Sequence, residues 1–296
     1  MPRTPDPACA VTAATGVLGD RWAWLVVQEV ARGHRRFDAL VEELGISRKV
    51  LAERLRSLVE AGVLERVPYT AAPPRYDHVL TDRGRALLPV LVGLQDWGDR
   101  WVLGGGEVSA TSTGGADAER LHALVGTTVP DLRLPATVGD GALPGPAVLF
   151  AYPATGAPSP LPEGWADVPG AAGCTLENRL FRDRWDAFQD AGVGVVGVST
   201  QRPEEQRAFA ALEQIPFPLL SDSALELTAA LRLPTVRVAD TVRLRRAVLV
   251  LDAGRTVTAV RYPVEDLPAA VQWALESAAD QRAPERQEGT TTGRAG

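Results

Sequence analysis

Apolar positions in the first hundred residues recur at helical spacing and are interrupted by glycines. The pattern predicts a short helix from about Val11 that breaks near Gly19, a helix from Trp22 to Ala31 and another from Arg36 to Leu44. Ser47 to Ala61 carries the clearest signal. Ser47 can cap it, Leu51, Leu55, Leu58 and Val59 share one face, and Lys49, Val50, Glu53, Arg54, Arg56 and Ser57 point the other way. Gly62 ends it. Two extended runs follow, Val63 to Tyr69 and Tyr76 to Thr81, joined by TAAPPR, whose prolines favour a loop over a two-residue hairpin turn. Arg83 to Trp101 then reads as one long helix.

The run GGGEVSATSTGGADA, residues 104 to 118, is almost without apolar content and reads as a flexible linker that allows a separation of roughly 20 Å. Beyond it the pattern alternates between strands and helices. Ala147 to Tyr152 and Val193 to Ser199 are short apolar runs suited to buried strands, and Thr175 to Ala191 is an amphipathic helix. Pro203 to Leu212 and Ala224 to Leu231 are helical in pattern. Arg246 to Leu251 and Thr256 to Tyr262 are strands flanking Asp252-Ala253-Gly254, and Leu267 to Ala278 closes as a helix. That order fits an α/β sandwich of thioredoxin type. The polar tail from Asp280 is expected to be disordered. Four segments result: a domain at 1–103, a linker at 104–118, a second domain at 119–279 and a tail at 280–296.

Composition narrows the functional classes. The 296 residues are 45% hydrophobic and 23% charged, ordinary globular usage. No apolar run is long enough to span a bilayer, and the N-terminus lacks a signal-peptide core, so a cytoplasmic protein without membrane partners is expected. The net charge of −6 is unevenly spread: residues 1–104 hold 14 basic against 13 acidic side chains, the remainder 17 against 24. Within residues 32–56, Arg32, Arg35, Arg36, Arg48, Lys49, Arg54 and Arg56 outnumber four acids, a local excess that a phosphate backbone can use. Three scattered histidines, His34, His78 and His122, show no ligand spacing, so neither a metal site nor a cofactor is expected.

A helix, a turn, a second helix with a basic outward face and a β-hairpin are the parts of a winged helix-turn-helix, whose second helix enters the DNA major groove. Residues 8 to 101 resemble the HxlR family of winged-helix transcription regulators. The resemblance rests on Leu18-Gly19-Asp20-Arg21-Trp22, Arg36-Phe37, Gly45-Ile46-Ser47, Arg54-Leu55, Glu60-Ala61-Gly62, Pro73-Pro74, Leu80-Thr81 with Gly84, and Trp97-Gly98. It implies a homodimer joined through the terminal helices on a two-fold-symmetric double-stranded DNA operator. It also covers Cys9, because redox-sensing members carry a thiol at this position; here Ala10 replaces the usual following proline. Ser47, Arg48, Lys49, Arg54 and Arg56 are the expected DNA-facing residues of the helix, and Arg66 and Arg75 those of the wing.

The segments VGTTVPDLRLPATVGDG, VLFAYPATG, GCTLENRLFRD, VGVVGVSTQ, FPLLSD and RRAVLVLDAGR resemble an AhpC/TSA-type peroxiredoxin domain over about residues 120 to 276. By that resemblance Cys174 is the peroxidatic cysteine, Arg246 the arginine that holds thiolate and peroxide, and Glu177 the acidic or amide position in the following turn. The hydroxyl residue usual three positions before the cysteine is Ala171, with Thr175 a substitute hydroxyl, and the common resolving position is Arg179. Helix N-terminus and arginine together should favour the thiolate, whose oxidation product, a sulfenic acid, a second thiol can capture. With only two cysteines in the chain, Cys9 is the resolving candidate.

The fold class expected is therefore multidomain, an N-terminal α+β winged helix followed by an α/β thioredoxin-like domain. The leading functional expectation is a DNA-binding transcription regulator modulated by thiol oxidation. Two alternatives stand beside it: a thiol peroxidase, with peroxide as substrate and thioredoxin or another external thiol as reductant, and a repressor with a degenerate redoxin module.

Overall fold

The computed structural model describes residues 9–71, 73–103, 115–156, 172–238 and 241–280. Three sequence expectations lie outside the described residues: the linker between 104 and 114, the approach to the cysteine through Ala171, and the tail beyond Asp280. The chain divides into two compact units. One comprises the residues up to Gln95 with Ala224–Arg232, the other Asp96–Ser223 with the residues from Leu233 onward. The final residues of the expected long helix thus group with the second unit.

In the first unit, α1 (Ala10–Leu18) precedes α2 (Arg21–Ala31), which begins where Asp20 caps it. The Asp20 carboxylate accepts hydrogen bonds from the Trp22 and Ala23 N–H groups at 2.8 and 3.0 Å. Next come α3 (Phe37–Leu44) and α4 (Arg48–Glu60). Gly45 ends α3 at φ +56°, a conformation that costs glycine least. Ser47 caps α4, its Oγ accepting from the Val50 N–H at 3.4 Å. Leu51, Leu55 and Leu58 bury one face of α4 with Val26, Val27 and Leu40, as the apolar spacing predicts.

Strands β1 (Leu64–Ala71) and β2 (Pro74–Leu80) pair antiparallel from Leu64 opposite Leu80 to Ala71 opposite Pro74, with a bulge between Pro68 and Thr70. The hairpin is longer than expected. Both strands are edges, where proline's missing N–H leaves no ladder partner unsatisfied. The expected long helix is two, α5 (Asp82–Arg85) and α6 (Leu88–Gly98), followed by a π-helical turn at Asp99–Leu103. Pro89 explains the break: it cannot donate to the Arg85 carbonyl, so the helix restarts with proline in its first turn.

Asp20 has a second partner, the Arg54 Nε of α4 at 2.9 Å. One carboxylate therefore caps α2 and pins α4 to its start. Replacing it, Asp20→Ala, should cost about 1 kcal/mol for the lost cap, plus a contribution from the unpaired Arg54. Urea denaturation against the wild type measures this.

Past the π turn, the described chain runs through α7 (Gly115–His122), β3 (Ala147–Ala151), α8 (Cys174–Asp183), α9 (Trp185–Asp190), β4 (Gly194–Ser199), α10 (Pro203–Glu213) and β5 (Leu219–Ser221). It continues through α11 (Glu226–Leu231), which groups with the first unit, to β6 (Thr235–Val238), β7 (Thr241–Leu244), β8 (Ala247–Leu251), β9 (Val257–Arg261) and α12 (Leu267–Asp280). The five-stranded sheet has the order β5-β4-β3-β8-β9, with β3, β4 and β5 parallel and β8 and β9 antiparallel to their neighbours. This mixed sheet with helices packed on it is the thioredoxin-like arrangement.

One face of that sheet is aromatic. Phe150 stacks on Phe181 of α8 at 4.2 Å between ring centroids, and Phe181 meets Phe188 of α9 at 5.9 Å. Val271 and Ala274 of α12 join the same core. The expected single helix from Thr175 to Ala191 is broken at Arg184 (φ −108°, ψ 7°), and Trp185, just past the break, meets Phe217 at 5.7 Å. The hairpin β6–β7 was not expected. Helix α7 begins inside the expected linker, over residues 115–118. No helix among the described residues is long and apolar enough to cross a membrane.

Candidate functional site

Cys174 opens α8, directly after Gly173 at φ +103°. A Cβ on Gly173 would lie 3.1 Å from Leu267 Cδ1 and would force a left-handed conformation on an L-residue, so glycine sets the approach of chain to thiol. Cys174 is buried, only 3% exposed. Arg246, immediately before β8 and itself buried, donates from Nη2 to Sγ at 3.1 Å and to the Ala172 carbonyl at 2.8 Å. Its Nη1 donates to Glu177 Oε2 one helical turn beyond the cysteine. Asn178 secures the turn from the other side, its Nδ2 donating to the Cys174 carbonyl at 2.9 Å. Arg246, distant in sequence, thus joins Cys174 and Glu177 of one helical turn into a single group. Thr175 is half-buried, and its hydroxyl makes no hydrogen bond to the sulfur among the described residues.

The electrostatics reverse one expectation. Burial pushes the Cys174 thiol above its ordinary value; Arg246 lowers it, Glu177 raises it again, and the Ala154 backbone lowers it. Desolvation wins because Arg246 is shared: its single positive charge also serves Glu177, whose pKa burial raises to about 7 against the pull of the same arginine. Cys9 behaves oppositely. It sits half-exposed at the N-terminus of α1, where the Thr12 backbone and side chain and the Val11 backbone hold its thiol below the ordinary value. Iodoacetamide at pH 7 should therefore label Cys9 before Cys174, as read by timed peptide mass mapping; equal rates would contradict the burial argument.

Arg243 on β7 was not anticipated. Burial lowers its pKa, while Glu205 and then Cys174 raise it, so it is a second cation in the electrostatic field of the thiol. Its buried Nε has no hydrogen-bond partner among the described residues. The alternation of Val236, Val238, Val242 and Leu244 around it is the sequence signal for this hairpin. Tyr152, at the end of β3, is fully buried and accepts a hydrogen bond from Gln206 Nε2 at 3.2 Å; burial raises its pKa, so it stays a neutral phenol.

On the first unit, Ser47, Arg48, Lys49, Arg56, Arg66 and Arg75 are all exposed. Arg54, whose side chain is 35% exposed, differs from them in pairing through Nε with Asp20 at the start of α2. Arg36, Arg48, Arg56, Arg66 and Arg75 line an open groove of about 950 Å³ that also takes in Tyr69. Three of these cations lie over aromatic rings: Arg66 on Tyr76 at 4.0 Å, Arg36 on Tyr69 at 4.5 Å and Arg48 on Phe37 at 4.9 Å. Arg36 also pairs with Asp77 at 3.5 Å. Stacking and ion pairing hold the guanidinium planes in place while leaving N–H donors for a ligand.

His34, unremarkable in sequence, lies with Glu29 and Glu43, their ligand-type atoms within 4.8 Å of one another. Arg32 Nη1 stands 3.0 Å from both Glu29 oxygens, so that carboxylate already has a cationic partner.

Fold and site together define a winged helix-turn-helix unit joined to a thioredoxin-like unit with an arginine-held thiol. The chain belongs to the HxlR-like helix-turn-helix family, whose model matches residues 17–104, and residues 168–260 match the AhpC/TSA family. An HTH-type transcriptional regulator of Mycobacterium tuberculosis is 43% identical over 93 residues, 31% of this chain and 59% of that relative, so the match spans little more than half the relative's length. The HTH-type transcriptional regulator YodB of Bacillus subtilis is 34% identical over 90 residues, 30% of this chain and 80% of that protein. Among solved structures, peroxidoxin BcpB from Mycobacterium tuberculosis is 28% identical, covers 53% of this chain and 97% of its own, and superposes with a TM-score of 0.44.

Proposed function

We propose that this chain is a cytoplasmic DNA-binding transcription regulator whose operator binding is modulated by oxidation of Cys174. The observation that carries the reading is the Arg246 hydrogen bond to a buried Cys174 thiol at 3.1 Å, in one chain with an HxlR-like DNA-binding unit. A hydroperoxide oxidises the Cys174 thiolate to a sulfenic acid and leaves as the alcohol. Condensation of that sulfenic acid with the Cys9 thiol forms a disulfide and releases water. The exposed basic side chains Arg48, Lys49 and Arg56 of α4 face the major groove, and Arg66 and Arg75 of the hairpin face the adjoining backbone.

Homodimerisation is part of the proposal. Val90, Leu94 and Trp97 follow one another at four- and three-residue spacing on α6 and are all about half-exposed, and Val11 on α1 is 70% exposed. A second copy would cover these apolar side chains. Intact mass and non-reducing peptide mapping after one equivalent of hydrogen peroxide test the thiol chemistry. A Cys9–Cys174 crosslink or a trapped Cys174 sulfenate is expected, and two unmodified thiols would refute it. If Cys9→Ser leaves oxidation-dependent release from DNA intact, the disulfide step is wrong while the sulfenate step survives. A second reading, a thiol peroxidase recycled by an external thiol, is favoured by the lack of another cysteine in the unit that holds Cys174. Steady peroxide consumption with thioredoxin would select it.

A further inference from the structure

The triad holds two acids and one cation: Arg246 binds both the Cys174 sulfur and the Glu177 carboxylate, and all three groups are buried. The second Glu177 oxygen, Oε1, is also buried and has no hydrogen-bond partner among the described residues. A buried carboxylate oxygen left without a donor, on a side chain that shares its arginine with a sulfur one helical turn away, is a place for a proton that comes and goes. Among the described residues, Arg243 on β7 and the neutral phenol of Tyr152 after β3 also act on the thiol, and neither is a carboxylate that can accept its proton.

We infer that Glu177 is the proton carrier of the thiol reaction, taking the proton from Cys174 and passing it to the oxygen that leaves the hydroperoxide. This rests on the reading of Cys174 as the site of peroxide oxidation. In the resting triad Glu177 is the anion and Cys174 the thiol, so Arg246 balances one negative charge. Transfer of the proton to Glu177 moves that charge to sulfur, and Arg246 balances it there. The thiolate electron pair then attacks the distal oxygen of ROOH and the O–O bond breaks, leaving RO⁻ while the sulfur becomes the sulfenic acid. Glu177 gives its proton to RO⁻, forming ROH, and returns to the carboxylate. The sum is Cys–SH + ROOH → Cys–SOH + ROH, with no external proton needed.

The role is distinguishable from merely holding Arg246, because only some reactions of the sulfur need a proton for the leaving group. Iodoacetamide expels iodide, and peracetic acid expels a carboxylate, neither of which requires protonation at pH 7. tert-Butyl hydroperoxide expels a strongly basic alkoxide, which does. In full-length Glu177→Gln, Arg246 is left to the sulfur alone, so alkylation of Cys174 should be as fast as in the wild type or faster. Oxidation by tert-butyl hydroperoxide should fall by roughly 10²-fold or more, the usual scale of general acid catalysis, and oxidation by peracetic acid by no more than a few-fold.

A parallel loss with all three reagents would make Glu177 a support for Arg246 and overturn the inference. Failure of the wild type to react with either peroxide would instead remove the reading on which it rests. Should Glu177→Gln not fold, the wild type supplies the test. Oxidation rates across a series of hydroperoxides should depend only weakly on the acidity of the departing alcohol if it leaves protonated, and a steep dependence would contradict the proposal.

Discussion

Replacing Arg246 by Met should both unfold the second unit more readily and silence Cys174. The substitution keeps an unbranched side chain and removes the partner that the buried Glu177 Oε2 has among the described residues, along with the donor to sulfur. Breaking a buried ion pair by deleting one member typically costs about 3 to 5 kcal/mol, since the remaining charge stays uncompensated. The cost depends on pH with a definite sign. Glu177's folded pKa is raised to about 7, so the fold favours its protonated form relative to the unfolded chain, though it is the anion above that value; its contribution to stability is full in acid and is lost as pH rises through it. Removing Arg246 raises that pKa further, so the deficit relative to wild type should grow from pH 5 to pH 8. Removing both partners, Arg246→Met with Glu177→Met, should recover much of the stability lost by the single change. Chemical denaturation of the three proteins at two pH values checks this. A single variant as stable as wild type at pH 8 would mean the triad contributes nothing to the fold.

The second large effect concerns DNA. Neutralising the exposed pair Lys49 and Arg56 with alanine should weaken operator binding by one to two orders of magnitude and flatten its salt dependence. Each lost phosphate contact reduces the slope of log K against log salt by about 0.9, so the pair should remove about 2 if both contact phosphate. Arg54→Ala should behave differently despite sitting on the same helix. Its guanidinium pairs with Asp20, so the change should lower stability and leave the salt slope unaltered. A slope unaffected by the Lys49 and Arg56 changes would move the DNA contact to another face.

Most of the architecture is legible in the order of residues because it follows from local rules. The leucine face of α4, its Ser47 cap and the apolar runs of β3, β4 and β8 need only periodicity and burial. What was missed follows from contacts between segments. Pro89 divides the expected terminal helix, a local signal that a continuous apolar pattern obscured. Trp185 and Phe188 turn into the core across a break at Arg184 that no glycine or proline announces. Arg54 matches its neighbours in type and spacing, yet Asp20 from an earlier turn claims it. The thiol shows the limit most clearly. Cysteine, helix start and arginine are all readable, but whether the arginine's pull prevails in the net shift depends on the depth of burial and on Glu177 sharing the same charge. Those are properties of the packed site, and they reverse the sign expected from the parts.

Oxidation of Cys174 controlling DNA binding is the central claim, and one comparison tests it directly. A duplex selected by the reduced protein from a random-sequence library is titrated, by fluorescence anisotropy, with wild type and Cys174→Ser before and after one equivalent of hydroperoxide. Oxidant should shift the wild-type affinity by at least tenfold and leave Cys174→Ser unchanged. Equal affinities for reduced and oxidised wild type, or the same shift in Cys174→Ser, would contradict it.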